Sequence, residues 1–118
     1  IHKTGALIRA ATLMGAYSAY RHNEEKIKAA DHFSKSIGLA FQVVDDILDA
    51  EADTKTLGKT AGKDAHQNKS TYVTILGIHE AKKLAAELHA NAMAALSFYG
   101  HEADLLRYLA NFITQRSF

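Results

Sequence analysis

Apolar residues recur along most of this chain at intervals of three, four or seven positions, the spacing of one face of an α-helix. The pattern predicts four main helices, over residues 4–21, 24–50, 80–99 and 102–116, and a short one over residues 71–76. Gly77 and Gly100 separate the later segments, since glycine is common at helix ends. The sequence therefore predicts an all-α fold.

The first two predicted helices differ in character. Residues 4–21 carry apolar side chains on nearly every face, so this helix is expected to be buried. Residues 24–50 carry a narrower apolar stripe, and a helix of that length spans a whole domain. Residues 51–70 then lose the periodicity and bring two glycines and four lysines, which predicts a loop. No repeat or flexible linker divides the chain, so the helices are expected to share one core.

Composition excludes several classes of function. With 118 residues the chain is one domain or less, and its formal charge of +1 creates no overall field that would attract nucleic acid. The absence of cysteine excludes a disulfide framework and a thiolate zinc site, and it suits the cytoplasm. The apolar runs are too short for a membrane span, so we expect a soluble protein. Because the helical pattern begins almost at Ile1, we also expect a piece of a larger polypeptide.

The most informative segment is FQVVDDILD, residues 41–49, near the C-terminal end of the long predicted helix. Asp45, Asp46 and Asp49 fall within about 100° of arc, on the side of Gln42. The apolar residues of the segment point the other way. We therefore expect all three carboxylates to face water or a polar cavity.

Five acidic residues and no Lys or Arg occur between Gln42 and Thr54. Like charges one turn apart repel, and the helix dipole disfavours acids in a last turn by roughly 0.3 to 1 kcal/mol each. Mg²⁺ would offset this cost, because it prefers carboxylate oxygen and commonly binds one or two carboxylates together with substrate phosphates. The alternative is a plain acidic helix end followed by a basic loop, and the spacing leaves both open.

Groups suited to phosphate lie elsewhere in the chain. Lys59 and Lys69 are in the predicted loop, while Lys3 precedes Thr4 where the first helix begins. Free N–H groups at a helix start attract anions, and the threonine hydroxyl adds a donor. The Lys-Thr pair is by itself weak support. The seven histidines show no metal-ligand spacing and are expected at the surface.

The segment FQxxDDxxD at residues 41–49 resembles the second aspartate-rich motif of the trans-prenyltransferases, the isoprenyl diphosphate synthases of the polyprenyl synthetase family. Residues 2–6, HKTGA, are similar to the Lys-Thr segment of that family, and residues 57–59, LGK, to its diphosphate-binding lysine. Residues 64–72 are similar to the D…K-x-T stretch that follows this lysine in the family, and their sequence is closest to that of bacterial farnesyl or geranylgeranyl diphosphate synthases. Order and spacing agree over nearly the whole chain.

This resemblance implies an all-α helical bundle of the isoprenoid synthase type, of which residues 1–118 would be the C-terminal part of a single domain. It implies condensation of isopentenyl diphosphate with an allylic diphosphate, dimethylallyl or geranyl, through Mg²⁺-assisted ionisation. The expected product is a short-chain all-trans prenyl diphosphate, farnesyl diphosphate. By the same resemblance the protein is expected to be a cytoplasmic homodimer without a nucleic-acid partner.

The resemblance also implies roles for single residues. The expected metal ligands, direct or through bound water, are Asp45, Asp46 and Asp49, with Asp45 the leading direct ligand. The expected diphosphate-binding residues are Lys3, Lys59 and Lys69. The expected lining of the substrate site near the first carbon of the prenyl chain is Thr4 and Gln42, with Phe41 either an apolar wall or part of the core. The catalytic set is expected to be Lys3, Thr4, Gln42, Asp45 and Asp46.

The family's first aspartate-rich motif, its isopentenyl-binding arginines and its chain-length residues precede the Lys-Thr segment and do not occur in this chain. We therefore expect this polypeptide to be inactive alone and to require the N-terminal part of the same protein. Arg116 is expected to be a frayed terminus, with closure over isopentenyl diphosphate as the alternative. Two other functions stay open. One is a non-catalytic subunit of a heteromeric synthase, which the intact aspartates and Lys59 argue against. The other is a class I terpene cyclase, which the FQxxDD motif disfavours.

Overall fold

The computed structural model describes the backbone of residues 2–55 and 70–116, and the side chains of residues 4–53 and 70–116. These residues contain helices and no strand, which confirms the all-α prediction. The helices are α1 (His2–Tyr20), α2 (Glu24–Lys55), α3 (Tyr72–Leu76), α4 (Ile78–Ala95) and α5 (Asp104–Thr114). Short 3-10 turns at Leu96–Phe98 and His101–Ala103 join α4 to α5. Across these ranges no helix combines the length and the apolar character that crossing a membrane requires.

Helix α2 is the axis of the bundle. Its 32 residues rise about 48 Å, most of the longest dimension of 55 Å. Helices α1, α3, α4 and α5 all pack against it. The inward stripe of α2 is almost completely buried, and it consists of Phe33, Ile37, Ala40, Val43, Val44 and Ile47. The prediction of one shared core is confirmed for the described residues.

The end of α2 corrects the predicted loop. Residues 51–55 are helical and continue α2 to Lys55. Glu51 forms an ion pair with Lys82 of α4, with 2.8 Å between Nζ and Oε2, so the last turns of α2 contact a neighbouring helix. The spacing of apolar residues within α2 could not indicate this contact, because Lys82 lies on another helix. Residues 56–69 of the predicted loop lie outside the described residues.

Helix α1 corrects a second prediction, because it is not buried all round. Among its described side chains only Ala16 is fully buried, whereas Leu7 and Met14 are each 70% exposed. One face of α1 packs against α2, and no other described element covers the opposite face. Apolar composition can indicate that a face will be covered, but it cannot show that the covering element belongs to the same 118 residues.

Two glycines bring α1 close to α2. A Cβ atom placed on Gly38 would lie 3.3 Å from the Cα atom of Gly5. Nearby, the Nε atom of Arg9 donates to the Oδ1 atom of Asp31 at 2.6 Å, and Lys35 pairs with the same carboxylate at 3.2 Å. Burial of Asp31 opposes its ionisation, but the hydrogen bonds from Arg9 and Lys35 outweigh burial and lower the pKa of this carboxyl. The start of α1 is thereby positioned against the middle of α2.

The connection from α4 to α5 is organised by Arg107. Its guanidinium donates to the carbonyl oxygens of Leu96, Tyr99 and Gly100 at 2.8 to 2.9 Å. These bonds add a side-chain donor to carbonyl groups of the turn, two of which, those of Leu96 and Gly100, also accept backbone hydrogen bonds. The predicted helix over residues 80–99 therefore changes to a 3-10 turn after Ala95.

A polar and aromatic cluster joins the α1–α2 connection to this turn. The hydroxyl of Tyr20 donates to Glu102 at 2.9 Å, and the hydroxyl of Tyr99 donates to the carbonyl oxygen of Lys26 at 2.6 Å. The Nζ atom of Lys26 lies 4.3 Å from the centre of the Tyr20 ring. The backbone N–H of Glu102 and the Tyr20 hydroxyl lower the pKa of the Glu102 carboxyl to about 2. The cluster thus keeps its negative charge at any ordinary pH.

We expect G38A to be less stable than G15A. Replacing a helix-interior glycine by alanine favours folding by about 0.5 to 1 kcal/mol, and Gly15 has no neighbouring atom within 4 Å that would oppose it. At Gly38 the added methyl group meets the backbone of α1, and displacing a packed element costs about 1 to 3 kcal/mol. Urea unfolding of the two variants measures the difference, and equal stabilities would contradict the close approach.

Candidate functional site

The segment over residues 41–49 has one fully packed side. Val43, Val44 and Ile47 are completely excluded from solvent, and Leu48 packs partly buried against the same core. This confirms the predicted apolar side. Because that side cannot turn away from the core, the rotation of α2 is determined, and the outer side of the helix presents Asp45 and Asp49.

Asp46 departs from the expectation that all three carboxylates face water, because only 8% of it is exposed. Its Oδ2 atom accepts a hydrogen bond from the backbone N–H of Tyr72 at 3.0 Å. Its Oδ1 atom accepts one from the side-chain amide of Gln42, also at 3.0 Å. The Tyr72 N–H belongs to the first turn of α3, where backbone donors lack partners within the helix. Asp46 therefore joins α3 to α2.

Asp45 forms an ion pair that no sequence pattern predicted. The Nη1 atom of Arg116 lies 2.9 Å from the Oδ1 atom of Asp45. The same guanidinium lies 4.8 Å from the centre of the Phe41 ring, and its Nε atom donates to the carbonyl oxygen of Ile113 at 3.1 Å. Arg116 is therefore an ordered contact to the acidic motif, and the expectation of a frayed end is wrong for this residue.

The two outward carboxylates could share a cation. Asp49 is exposed and follows Asp45 by four residues, which places both on one face of α2. The described part of the chain contains no group of three or more His, Cys, Asp or Glu side chains that could hold a metal ion. Mg²⁺ commonly takes one or two protein carboxylates and completes its shell with water and phosphate, so the pair suits this ion. Asp46 as a ligand stays a prediction, since both of its oxygens accept hydrogen bonds.

A cleft lies between α1 and α2, and two of its lining residues, Gln42 and Tyr72, are hydrogen-bonded to Asp46. Its volume is about 400 Å³, and its lining includes Gly5, Arg9, Leu39, Gln42 and Tyr72. Gln42 lines this cleft and donates to Asp46; its expected role at a substrate site stays a prediction. Thr4 is half-buried, next to Gly5. Phe41 is half-buried, packs against the core and also carries the Arg116 contact, so both of its expected roles stay open.

The predicted lysines cannot be placed from the described side chains. Lys3 is in the first turn of α1, but its side chain lies outside the described residues. Lys59 and Lys69 lie outside them altogether. Their roles in binding diphosphate therefore stay predictions that rest on the sequence motifs.

Two cations from other elements reduce the charge of the acidic segment. Arg116 pairs with Asp45, and Lys82 pairs with Glu51. The sequence argument for a divalent cation assumed that no basic group was near, and tertiary packing removes part of that argument. What supports the candidate site is instead the presence of two outward carboxylates, Asp45 and Asp49, on the helix whose Asp46 is bonded to the cleft residue Gln42.

The family model for polyprenyl synthetase matches residues 1–104 of this sequence. The chain belongs to the polyprenyl synthetase family. The match includes the acidic motif, the Lys-Thr segment and the later lysines, so the family assignment and the resemblance noted in the sequence agree.

Individual relatives show the same relationship. The chain is 45% identical over 119 residues to the farnesyl diphosphate synthase of Escherichia coli strain K12, covering 98% of this chain and 40% of that protein. It is 43% identical to a chloroplastic geranylgeranyl pyrophosphate synthase of Capsicum annuum, covering 98% and 31%. A solved structure of an FPP/GFPP synthase from Zymomonas mobilis matches with a TM-score of 0.77 at 36% identity, covering 94% and 34%. The chain thus spans between 31% and 40% of the length of these relatives.

We expect D46A to destabilise the fold and D49A to leave it nearly unchanged. Removing the Asp46 carboxylate deprives the Tyr72 N–H and the Gln42 amide of their acceptor, which costs about 1 to 3 kcal/mol. Asp49 is exposed, and such surface substitutions usually change stability by less than about 0.5 kcal/mol. Denaturant unfolding of both variants provides the measurement. Similar midpoints for the two would show that Asp46 does not link α3 to α2.

Proposed function

We propose that the protein carrying this chain is a trans-prenyltransferase that condenses isopentenyl diphosphate with an allylic diphosphate. The observation that carries this proposal is the arrangement of the acidic motif: Asp45 and Asp49 lie on the outer side of α2, and Asp46 is hydrogen-bonded to Gln42 and Tyr72, which line the cleft. Family membership and the names of the relatives, farnesyl and geranylgeranyl diphosphate synthases, support the same chemistry. Farnesyl diphosphate is the proposed product.

The reaction requires charge compensation at the leaving diphosphate. The allylic C–O bond breaks with its electron pair going to diphosphate, the isopentenyl double bond then forms a C–C bond to the allylic carbon, and a proton is lost. Asp45 and Asp49 are the described residues that would hold Mg²⁺. When bound, this ion would supply positive charge. That charge would stabilise the departing diphosphate more than the intact ester, because negative charge develops as the C–O bond breaks.

The remaining residues are proposed to bind the diphosphate and to orient the prenyl chain. Asp46 accepts the hydrogen bond from the Gln42 amide and so holds Gln42 at the edge of the cleft, where we propose that the prenyl chain begins. Lys3, Lys59 and Lys69 are proposed to bind the diphosphate, and Thr4 to donate its hydroxyl near the first carbon. The proton and diphosphate leave with the products, so none of these residues needs to change its charge permanently.

Two exposed apolar faces support a requirement for further polypeptide. One lies on α1 with Leu7, Met14 and Tyr17, and the other lies on α5. The large exposed side chains of α5 are Leu105, Tyr108, Leu109 and Phe112. Contiguous apolar faces of this kind usually mark an interface. We propose that the N-terminal part of the same protein is needed to complete the site, and homodimer formation and a cytoplasmic location stay proposals from the resemblance.

In the intact protein, D45N and D49N should each lower kcat for prenyl transfer by about 100-fold or more, a loss typical of removing a group that stabilises transition-state charge. The assay supplies dimethylallyl or geranyl diphosphate, isopentenyl diphosphate and Mg²⁺, and it identifies the products by mass. E87Q on the exposed face of α4 is the matched control and should retain wild-type turnover. Cyclic hydrocarbons, or no product from the wild type, would contradict the proposal.

The 118-residue polypeptide alone should show no turnover with the same substrates. The resemblance places a further aspartate-rich motif upstream of this chain, and the chain spans 31% to 40% of the relatives described above. The measurement compares the polypeptide alone with the polypeptide after addition of the upstream part of the protein. Turnover by the polypeptide alone would show that no further segment is needed.

A further inference from the structure

The Arg116 side chain contacts α2 through an ion pair and an aromatic ring, but one of its guanidinium nitrogens has no hydrogen-bond partner among the described residues. One guanidinium nitrogen, Nη1, pairs with Asp45 at 2.9 Å, and the guanidinium plane lies near the Phe41 ring. The other terminal nitrogen, Nη2, is buried and has no hydrogen-bond partner among the described residues. A buried donor without a partner costs free energy. This arrangement therefore holds Arg116 in place but leaves it incompletely satisfied.

Asp45 is the carboxylate on which a divalent cation would also depend. A cation bound there would place a double positive charge within a few ångströms of the guanidinium, and charges of the same sign at that distance repel strongly. The two cannot both be bound closely to one carboxylate without a large electrostatic cost. Whichever cation occupies Asp45 therefore weakens the binding of the other.

We propose that Arg116 is the resident counter-ion of Asp45, and that binding of a divalent cation displaces it and releases the turn after α5 from α2. The inference rests on the proposed function, since that function requires the cation at Asp45. The turn after α5 would then contact α2 when the metal site is empty and leave it when the metal is bound. Arg116 is thus a positioning residue that acts through Asp45.

The exchange is energetically accessible. The side chain of Asp45 is 36% exposed and that of Arg116 is 25% exposed, so solvent screens the pair and limits its strength. The hydrogen bond from Nε to the Ile113 carbonyl oxygen is local to the end of α5. The Ile113 side chain is packed in the core, so the part that is released is the turn at residues 115–116.

The test measures divalent-cation affinity directly in the intact protein, by loss of the free Mn²⁺ signal in electron paramagnetic resonance. R116Q should bind Mn²⁺ about three- to fivefold more tightly than the wild type, because the cation no longer displaces an ion pair. R116K keeps the positive charge and should stay near the wild-type affinity. K82Q removes the same charge from Glu51 of the same acidic segment and should change affinity much less.

A second measurement follows the turn itself. In the wild type, Mn²⁺ or Mg²⁺ should speed hydrogen exchange in the peptide that covers residues 113–116, because the turn is released. In R116Q this peptide should exchange rapidly with or without the metal. A peptide from the middle of α4 is the internal reference and should not respond.

The outcomes separate this inference from the proposed function. If R116Q and the wild type bind the metal equally, or if K82Q tightens binding as much as R116Q, Arg116 is not the counter-ion that the metal displaces. If the wild type transfers prenyl groups but metal leaves exchange of the turn unchanged, the inference alone fails. If neither protein binds the metal and the wild type has no activity, both the inference and the proposed function fail.

Discussion

Ile37, Ala40, Val44 and Ile47 of α2 are completely excluded from solvent, and all the other described helices pack against this one. Burial of this stripe stabilises the bundle, because each large apolar side chain contributes about 1.5 to 3 kcal/mol when it leaves water. It also determines which way α2 is rotated. The outward position of Asp45 and Asp49 follows from that rotation, so the core and the candidate site are two sides of the same helix.

The acidic motif has two structural roles within nine residues. Asp46 is buried and accepts hydrogen bonds from Tyr72 and Gln42, so it holds α3 and the edge of the cleft in place. Asp45 and Asp49 remain accessible to solvent. A carboxylate that holds the scaffold cannot easily turn toward a ligand, since its hydrogen-bond donors would lose their acceptor. One carboxylate of the motif therefore stabilises the fold, and the other two are left for the proposed cation.

Charge compensation links the candidate site to distant parts of the chain. Lys82 on α4 pairs with Glu51, and Arg116 after α5 pairs with Asp45. Each pair brings together an acid of α2 and a base that follows much later in the sequence. The charge of the acidic segment, and with it the affinity for a cation, is therefore a property of the packed bundle.

Helical periodicity was enough to predict the all-α class, the start of α2 and the apolar side of residues 41–49, because these depend on neighbours within about four positions. The family resemblance could likewise be read from the linear order of short motifs. Three features could not be predicted from the sequence: the burial of Asp46, the helical state of residues 51–55 and the contact between Arg116 and Asp45. Each of them depends on a partner, Tyr72, Lys82 or Asp45, that only packing brings near. The exposure of Leu7 and Met14 belongs with them, since whether an apolar face is covered depends on which other elements are present.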